Sequence, residues 1–150
     1  MLIARVLVVG ALAWPTVLGA ALWERVHHPQ ARSAWASVVY FAASRVCHQK
    51  PERSFHTDDA QWPVCARCAG LYLAAPVGIA WFFLQRRRRA GRRRPQPALV
   101  FAVAAIPTVF SVAWEWGGLG MPPNPARALS ALPLGAAVAW VLLTVTHQVD

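Results

Sequence analysis

Four apolar stretches, each about twenty residues long, constrain the fold of this chain more than any other feature. They cover residues 2–23, 64–84, 98–120 and 128–146. An α-helix needs about 20 apolar residues to cross a hydrocarbon core of roughly 30 Å. Within lipid, a helix is one of the few structures that satisfies all of its own backbone polar groups. The sequence therefore predicts an all-α fold, an integral membrane four-helix bundle.

Composition agrees with a membrane protein. Hydrophobic residues make up 57% of the chain and the mean hydropathy is +0.37, whereas soluble domains are typically about 45–50% apolar. A chain of 150 residues is expected to form a single membrane domain, 1–150. A cleaved signal peptide is the alternative for the first stretch, because Arg5 precedes its apolar run and small residues lie at positions 19–21. Its apolar run is longer than the usual ~7–15 residues, which favours a span.

A run of seven arginines between residues 86 and 94 predicts the topology. It contains nearly half of the fifteen basic residues, so the net charge of +9 is largely local. Loops beside spans are enriched in Lys and Arg on the cytoplasmic side. We therefore expect loop 85–97 and both termini to be cytoplasmic in the inner membrane, with loop 24–63 on the outer face. We interpret the arginine run as a signal that sets the membrane topology, and we expect no nucleic-acid partner.

Residues 33–46 predict a short additional helix, with Ser33 as its N-cap. Apolar residues recur at helical spacing, but about 14 residues are few for a span. We expect this helix to be interfacial, with a fifth, tilted span as the alternative. Residues 50–63 carry charges, two prolines and an Asp-Asp pair, and they predict a solvated loop.

The chemistry is concentrated between residues 45 and 72. All three cysteines lie there, Cys47, Cys65 and Cys68, together with His48. A Cys-x-x-Cys pair at a helix start can direct two thiolates to one metal ion, and the Cys-His pair supplies two further ligands. These four residues predict a Cys₃His metal site for a divalent metal, zinc first, with copper and iron as alternatives. His56 is a second candidate for the histidine ligand, and the alternative for the cysteines is apolar packing.

Charged residues near the motif are expected to support it. Arg53 and Arg67 flank the thiols in the sequence, where a guanidinium favours thiolate over thiol. The alternative role for these arginines is contact with lipid headgroups. Glu115 is a carboxylate within the third span, and such residues usually face the bundle and find a partner. We predict that it faces inward and pairs with Arg127 or Arg67. Hydration at the outer interface and direct metal ligation are the alternatives for Glu115.

The chain resembles the domain of unknown function 2085 family, a group of prokaryotic membrane proteins. The similarity rests on motifs that occur in order: Cys47-His48-Gln49, residues 51–55 (PERSF), residues 63–68 (PVCARC) and Gly70-Leu71-Tyr72. It covers the chain from about residue 33 and leaves the first span outside. The resemblance implies a small integral membrane protein with a cysteine-rich site and implies no reaction. Many members have an acidic residue followed directly by glycine in the third span, whereas Trp116 separates Glu115 from Gly117 here, which leaves the role of Glu115 open.

Two functions remain open from the sequence. The first is metal binding, in which the site is structural or handles the metal. The second is thiol–disulfide exchange by Cys65 and Cys68, linked to a quinone, although enzymes of that kind use a second cysteine pair and only Cys47 is left here. Whether the protein is an enzyme depends on that choice. Its expected partners are the lipid bilayer and a metal ion, with a homo-oligomer left open.

Overall fold

The computed structural model describes residues 2–28, 33–87 and 95–149, with the side chains of residues 148 and 149 left out. Within these ranges the chain forms five α-helices and one β-hairpin. The helices are α1 (Leu2–His27), α2 (Ala34–Ser44), α3 (Ala66–Arg87), α4 (Pro97–Trp116) and α5 (Asn124–Val149). A 3₁₀ turn at Pro51–Arg53 precedes the strands β1 (Ser54–Thr57) and β2 (Ala60–Cys65).

Four of these helices are long and apolar enough to cross a membrane: α1, α3, α4 and α5. They confirm the predicted architecture of four long apolar helices, and each begins and ends within a few residues of a predicted span. Helix α2 has 11 residues and rises only about 16 Å, roughly half of a hydrocarbon core. It is therefore too short for the fifth span, and an interfacial location fits its length. Ser33 holds the N-cap position, but its side chain makes no capping hydrogen bond.

Each long helix continues through one internal proline, at Pro15, Pro76, Pro107 and Pro133. Proline removes a backbone donor, and in transmembrane helices neighbouring groups compensate for it. Beside Pro107, the Thr108 hydroxyl donates to the carbonyl of Ser130 on α5 at 2.8 Å, which ties the two helices together. The prolines thus lie inside the helices rather than at their ends.

Helices α3 and α5 approach each other so closely that only glycine fits at their contacts. A Cβ atom on Gly78 would lie 2.0 Å from the Ala136 carbonyl oxygen, and one on Gly135 would lie 2.2 Å from the Leu71 oxygen. The small-residue face predicted on the fourth span, Ala131, Gly135 and Ala139, is buried. Small residues are how transmembrane helices achieve such contact.

The loop predicted for residues 50–63 is instead largely a β-hairpin. Strands β1 and β2 pair antiparallel, with Thr57 opposite Ala60 and Ser54 opposite Cys65. Asp58 and Asp59 form the two-residue turn, in which Asp58 takes a φ of 50°. Asp tolerates this left-handed region better than most residues, so the Asp-Asp pair marks a turn between two short strands. The charges and prolines hid that signal.

One end of the helices carries the polar structure, and we call it the cysteine end. Ion pairs join the C-terminal turn of α4 to the N-terminal turns of α3 and α5 there. Leu18 of α1 and Ala43 of α2 pack in one cluster with Cys47 and Cys65. Between their ends, the exposed side chains of the long helices are mostly apolar; in α4, only Ser111 is buried. The fold thus leaves apolar sides for lipid and gathers the three cysteines and the Glu115 ion pairs at one end.

Candidate metal centre

Three cysteines from three separate pieces of chain meet at the cysteine end. Cys47 follows α2, Cys65 ends β2 and Cys68 lies in the first turn of α3. Their three sulfur atoms all lie within 4.8 Å of one another. Cys47 and Cys65 are buried, Cys68 is partly buried, and all three are free thiols. We call this group the cysteine cluster.

Gln49 holds the Cys47 segment against the hairpin. Its backbone takes a left-handed φ of 46°, and its side-chain amide donates to the carbonyls of Tyr40 and Pro63 at 2.8 and 2.7 Å. In return, the Gln61 side chain donates to the Gln49 carbonyl at 2.6 Å. These bonds connect α2, the segment after it and β2, so they fix where Cys47 lies relative to Cys65.

Ser54 and Asn124 connect the hairpin to α5. Ser54 is 1% exposed and lies opposite Cys65 in the strand register. Its hydroxyl donates to the Lys50 carbonyl at 2.9 Å, and its own carbonyl accepts from Asn124 at 2.8 Å. Because buried polar groups must be hydrogen-bonded, these contacts hold the hairpin over the start of α5.

The cysteine cluster favours one thiolate, on Cys47. The thiols of Cys65 and Cys68 donate hydrogen bonds to its sulfur and hold the pKa of Cys47 far below its usual range. The backbone N–H of Cys65 also donates to this sulfur, at 3.1 Å. The same hydrogen bond to Cys47 raises the pKa of Cys65. Thiolate is the form of cysteine that binds metal ions, so the cluster is partly prepared for a cation.

The two candidate histidines lie outside the cysteine cluster. His48 is exposed, and its Nδ1 atom is 4.0 Å from the Cys47 sulfur. Among the described residues, the atoms grouped closely enough for one metal ion are the three sulfurs. His56 is exposed on β1 and pairs with Gln61 in the hairpin. His48 is therefore adjacent to the cluster, while His56 belongs to the hairpin surface.

Glu115 and three arginines form a second group, which we call the arginine–glutamate cluster. Glu115 lies in the last turn of α4 with its side chain 7% exposed. It forms ion pairs with Arg67 at 2.9 Å, with Arg127 at 3.4 Å and with Arg53. Arg67 also donates to the backbone and side-chain oxygens of Ser111, both at 3.2 Å. Both pairings predicted for Glu115 are present, and Arg53 adds a third.

The two clusters are neighbours connected through the hairpin. Arg127 donates to Asn124 at 3.5 Å, Asn124 donates to the Ser54 carbonyl, and Ser54 pairs with Cys65. Arg67 lies between Cys65 and Cys68 in the chain, yet its guanidinium is directed to Glu115 and Ser111. The arginines that were expected beside the thiols therefore meet the carboxylate instead.

Sequence reasoning missed the residues that assemble the site: Gln49, Ser54 and Gln61. Gln49 and Ser54 could have been found because they are uncharged polar residues within the CHQ and PERSF motifs. Gln61 gave no signal, because its role depends on the register of a hairpin that the sequence reading left as a loop.

The fold and the site define a class of protein: a small multi-span membrane protein with three cysteines gathered at one end of its helices. Residues 47–141 match the family described as "Predicted membrane protein (DUF2085)". The match includes both clusters and covers more than half of the chain, so the protein belongs to this family, as the motif resemblance predicted.

Two archaeal relatives agree with that assignment. An uncharacterised protein of Methanothermobacter thermautotrophicus is 29% identical over 104 residues, which cover 69% of this chain and 90% of the relative. An uncharacterised protein of Methanocaldococcus jannaschii is 44% identical over 110 residues, covering 73% of this chain and 69% of the relative. No solved structure matches the chain.

Proposed function

We propose that this protein is a metal-binding membrane protein whose cysteine cluster holds one divalent metal ion. The observation that carries the proposal is the convergence of three buried or partly buried sulfurs within 4.8 Å. Cys47 is brought to the Cys65 and Cys68 pair from a separate part of the chain, which packing of small apolar side chains alone does not require. Sulfur ligands at this spacing suit zinc first, and copper or iron as well.

His48 is the proposed fourth ligand. Structural zinc sites are tetrahedral with four protein ligands, and Cys₃His is one of the common sets. The ring lies 4.0 Å from the Cys47 sulfur in an exposed position, so a change of side-chain rotamer is the movement that ligation needs. If water or a second molecule filled the fourth coordination position of the metal instead, the site would resemble those that handle metal rather than those that only stabilise a fold.

A metal ion here would add to the hydrogen bonds that already hold these elements together. It would connect the segment after α2, the end of β2 and the start of α3, each through one sulfur. Metal binding by ligands that are distant in sequence contributes directly to folding. We propose that the site fixes the hairpin onto the helix ends.

The proposed orientation places the cysteine cluster on the outer face of the inner membrane. It rests on the arginine run that follows α3, at the end of that helix opposite Cys68. Basic residues beside a span favour the cytoplasmic side. With four spans, both termini would then be cytoplasmic.

Metal content of the purified full-length protein tests the function. Wild type is expected to retain about one equivalent of metal, with three thiols protected until a chelator is added. Cys47→Ser, Cys65→Ser and Cys68→Ser should each lose most of it. Replacement of His48 by Ala should speed loss to a chelator, whereas the matched variant His56→Ala should behave as wild type. Full occupancy in Cys65→Ser would remove Cys65 from the ligand set.

A second function, thiol–disulfide exchange with a quinone, is favoured by one observation. An apolar crevice of about 530 Å³ lies between α1, α3 and α5, and Tyr72 forms part of its wall one helical turn from Cys68. Oxidation of the Cys65 and Cys68 thiols to a disulfide would pass two electrons and two protons to a quinone, forming a quinol. This function predicts a metal-free protein with a Cys65–Cys68 disulfide and bound quinone, so the same preparation distinguishes it from metal binding.

A further inference from the structure

Positive charge is in excess around Glu115. Three guanidinium groups contact one carboxylate, so two positive charges have no carboxylate partner within the cluster. Arg127 is 1% exposed and the Glu115 side chain is 7% exposed. Buried charges are costly unless they are paired with opposite charge. The arginine–glutamate cluster therefore holds more positive charge than its own carboxylate balances.

Unused hydrogen-bond donors occur in the same place. The Nε atoms of Arg53, Arg67 and Arg127 are buried and have no hydrogen-bond partner among the residues that the structure describes. The Nη2 atom of Arg127 is also buried and without a hydrogen-bond partner among the described residues, although it lies 3.4 Å from the Glu115 Oε2 atom. Glu115 Oε1 also lacks a hydrogen bond, although Arg53 lies in ion-pair contact with it. Since buried donors are nearly always satisfied, four unused donor atoms on three arginines indicate an acceptor from outside the chain.

The helix ends add to this positive potential. Helices α3 and α5 both begin at the cysteine end, and neither has an acidic residue in its first turn. Arg67 and Arg127 lie near these beginnings instead. A helix N-terminus carries partial positive charge and favours an anion, so basic residues there are the reverse of the usual preference. Glu115 supplies one negative charge beside Arg67 and Arg127, and the remaining positive charge would be balanced by a further anion.

We propose that the arginine–glutamate cluster binds a phosphate group. The planar guanidinium presents paired donors that match phosphate oxygens. Arg53, whose side chain is 26% exposed, gives access from the surface beside the hairpin. The ends of membrane-spanning helices lie at the level of lipid headgroups, so a lipid phosphodiester and free inorganic phosphate both offer this chemistry. The proposal does not depend on the metal site and stands if the cysteine cluster binds no metal.

Binding by delipidated full-length protein in detergent at low salt tests the proposal. Inorganic phosphate is titrated by calorimetry, and retention of phosphatidylglycerol is followed by native mass spectrometry. Wild type should bind one molecule of at least one probe. Arg53→Gln should weaken that binding about tenfold or more, because it removes a charge and a donor. The matched control is Arg45→Gln, at an exposed arginine after α2, and it should change nothing.

Glu115→Gln separates a phosphate site from a purely structural ion-pair cluster. Removing the carboxylate of this cluster lowers repulsion of an anion, so affinity for the bound probe should rise about tenfold. A structural cluster would lose thermal stability without any gain in affinity. Lipid retention that Arg53→Gln abolishes identifies a headgroup site, and saturable binding of phosphate alone identifies a free-phosphate site. The proposal is overturned if wild type binds neither probe, if Arg53→Gln matches Arg45→Gln, or if Glu115→Gln binds the probe that wild type binds no more tightly than wild type does.

Discussion

Gly78 lies in the middle of α3, where the contact with α5 is tightest. A Cβ atom there would lie 2.0 Å from the Ala136 carbonyl oxygen, whereas ordinary van der Waals contact begins at 3.4 Å. Gly78→Ala therefore requires a separation of about 1.4 Å, the difference of these two distances. The obstructing atom belongs to the backbone and has no rotamer to change, so the helices themselves must move apart.

The expected result is a net loss of stability. Overpacking a close contact costs about 1–3 kcal/mol, and the better helix propensity of alanine offsets up to about 1 kcal/mol. Gly70 and Gly135 fix the same interface with Cβ distances of 2.2 Å, which limits how far it can relax. We expect Gly78→Ala to melt earlier than wild type when tryptophan fluorescence is followed on heating in detergent.

Gly10→Ala is the matched control. Gly10 is also in the interior of a long apolar helix, but nothing lies within 4 Å of its added Cβ. This change should leave the melting temperature equal or slightly raised, because only helix propensity acts. Equal shifts in the two variants, or a Gly78→Ala protein as stable as wild type, would show that the close approach of α3 and α5 is not as described.

Three further predictions concern the cysteine end. Topology reporters fused after Arg94 and within the hairpin turn should lie on opposite sides of the membrane, and reporters on the same side would contradict the proposed orientation. Gln49→Ala should lower stability by about 1–3 kcal/mol, because it removes the side-chain donor from two part-buried carbonyls. The control Gln96→Ala removes an exposed side chain that makes no capping hydrogen bond, and it should stay within about 0.5 kcal/mol of wild type. Metal binding at pH 7 should release about two protons rather than three, since the lowered pKa of Cys47 leaves it without a proton to give. Calorimetry in buffers of different ionisation enthalpy measures the number of protons released. Release of three protons would contradict the Cys47 thiolate.

The fold was largely predictable from the sequence because lipid imposes simple rules. A helix in hydrocarbon satisfies its own backbone, so a long apolar stretch predicts a span without knowledge of its neighbours. Small residues at Ala131, Gly135 and Ala139 likewise predicted a packed face. The hairpin was missed because two short strands have no such length signal, and their pairing depends on the Asp58 turn and on contacts with Gln49.

The sequence by itself also determined which residues are candidates for the chemistry, because three cysteines, one adjacent histidine and one carboxylate in a predicted span stand out in an apolar chain. Only the tertiary structure decided how these groups are shared between two clusters. It gathers three sulfurs and leaves His48 beside them, and it directs Arg53 and Arg67 to Glu115 rather than to the thiols. The reason is physical: a buried carboxylate attracts guanidinium groups from any element within reach, and which elements are within reach depends on how the helix ends and the hairpin pack.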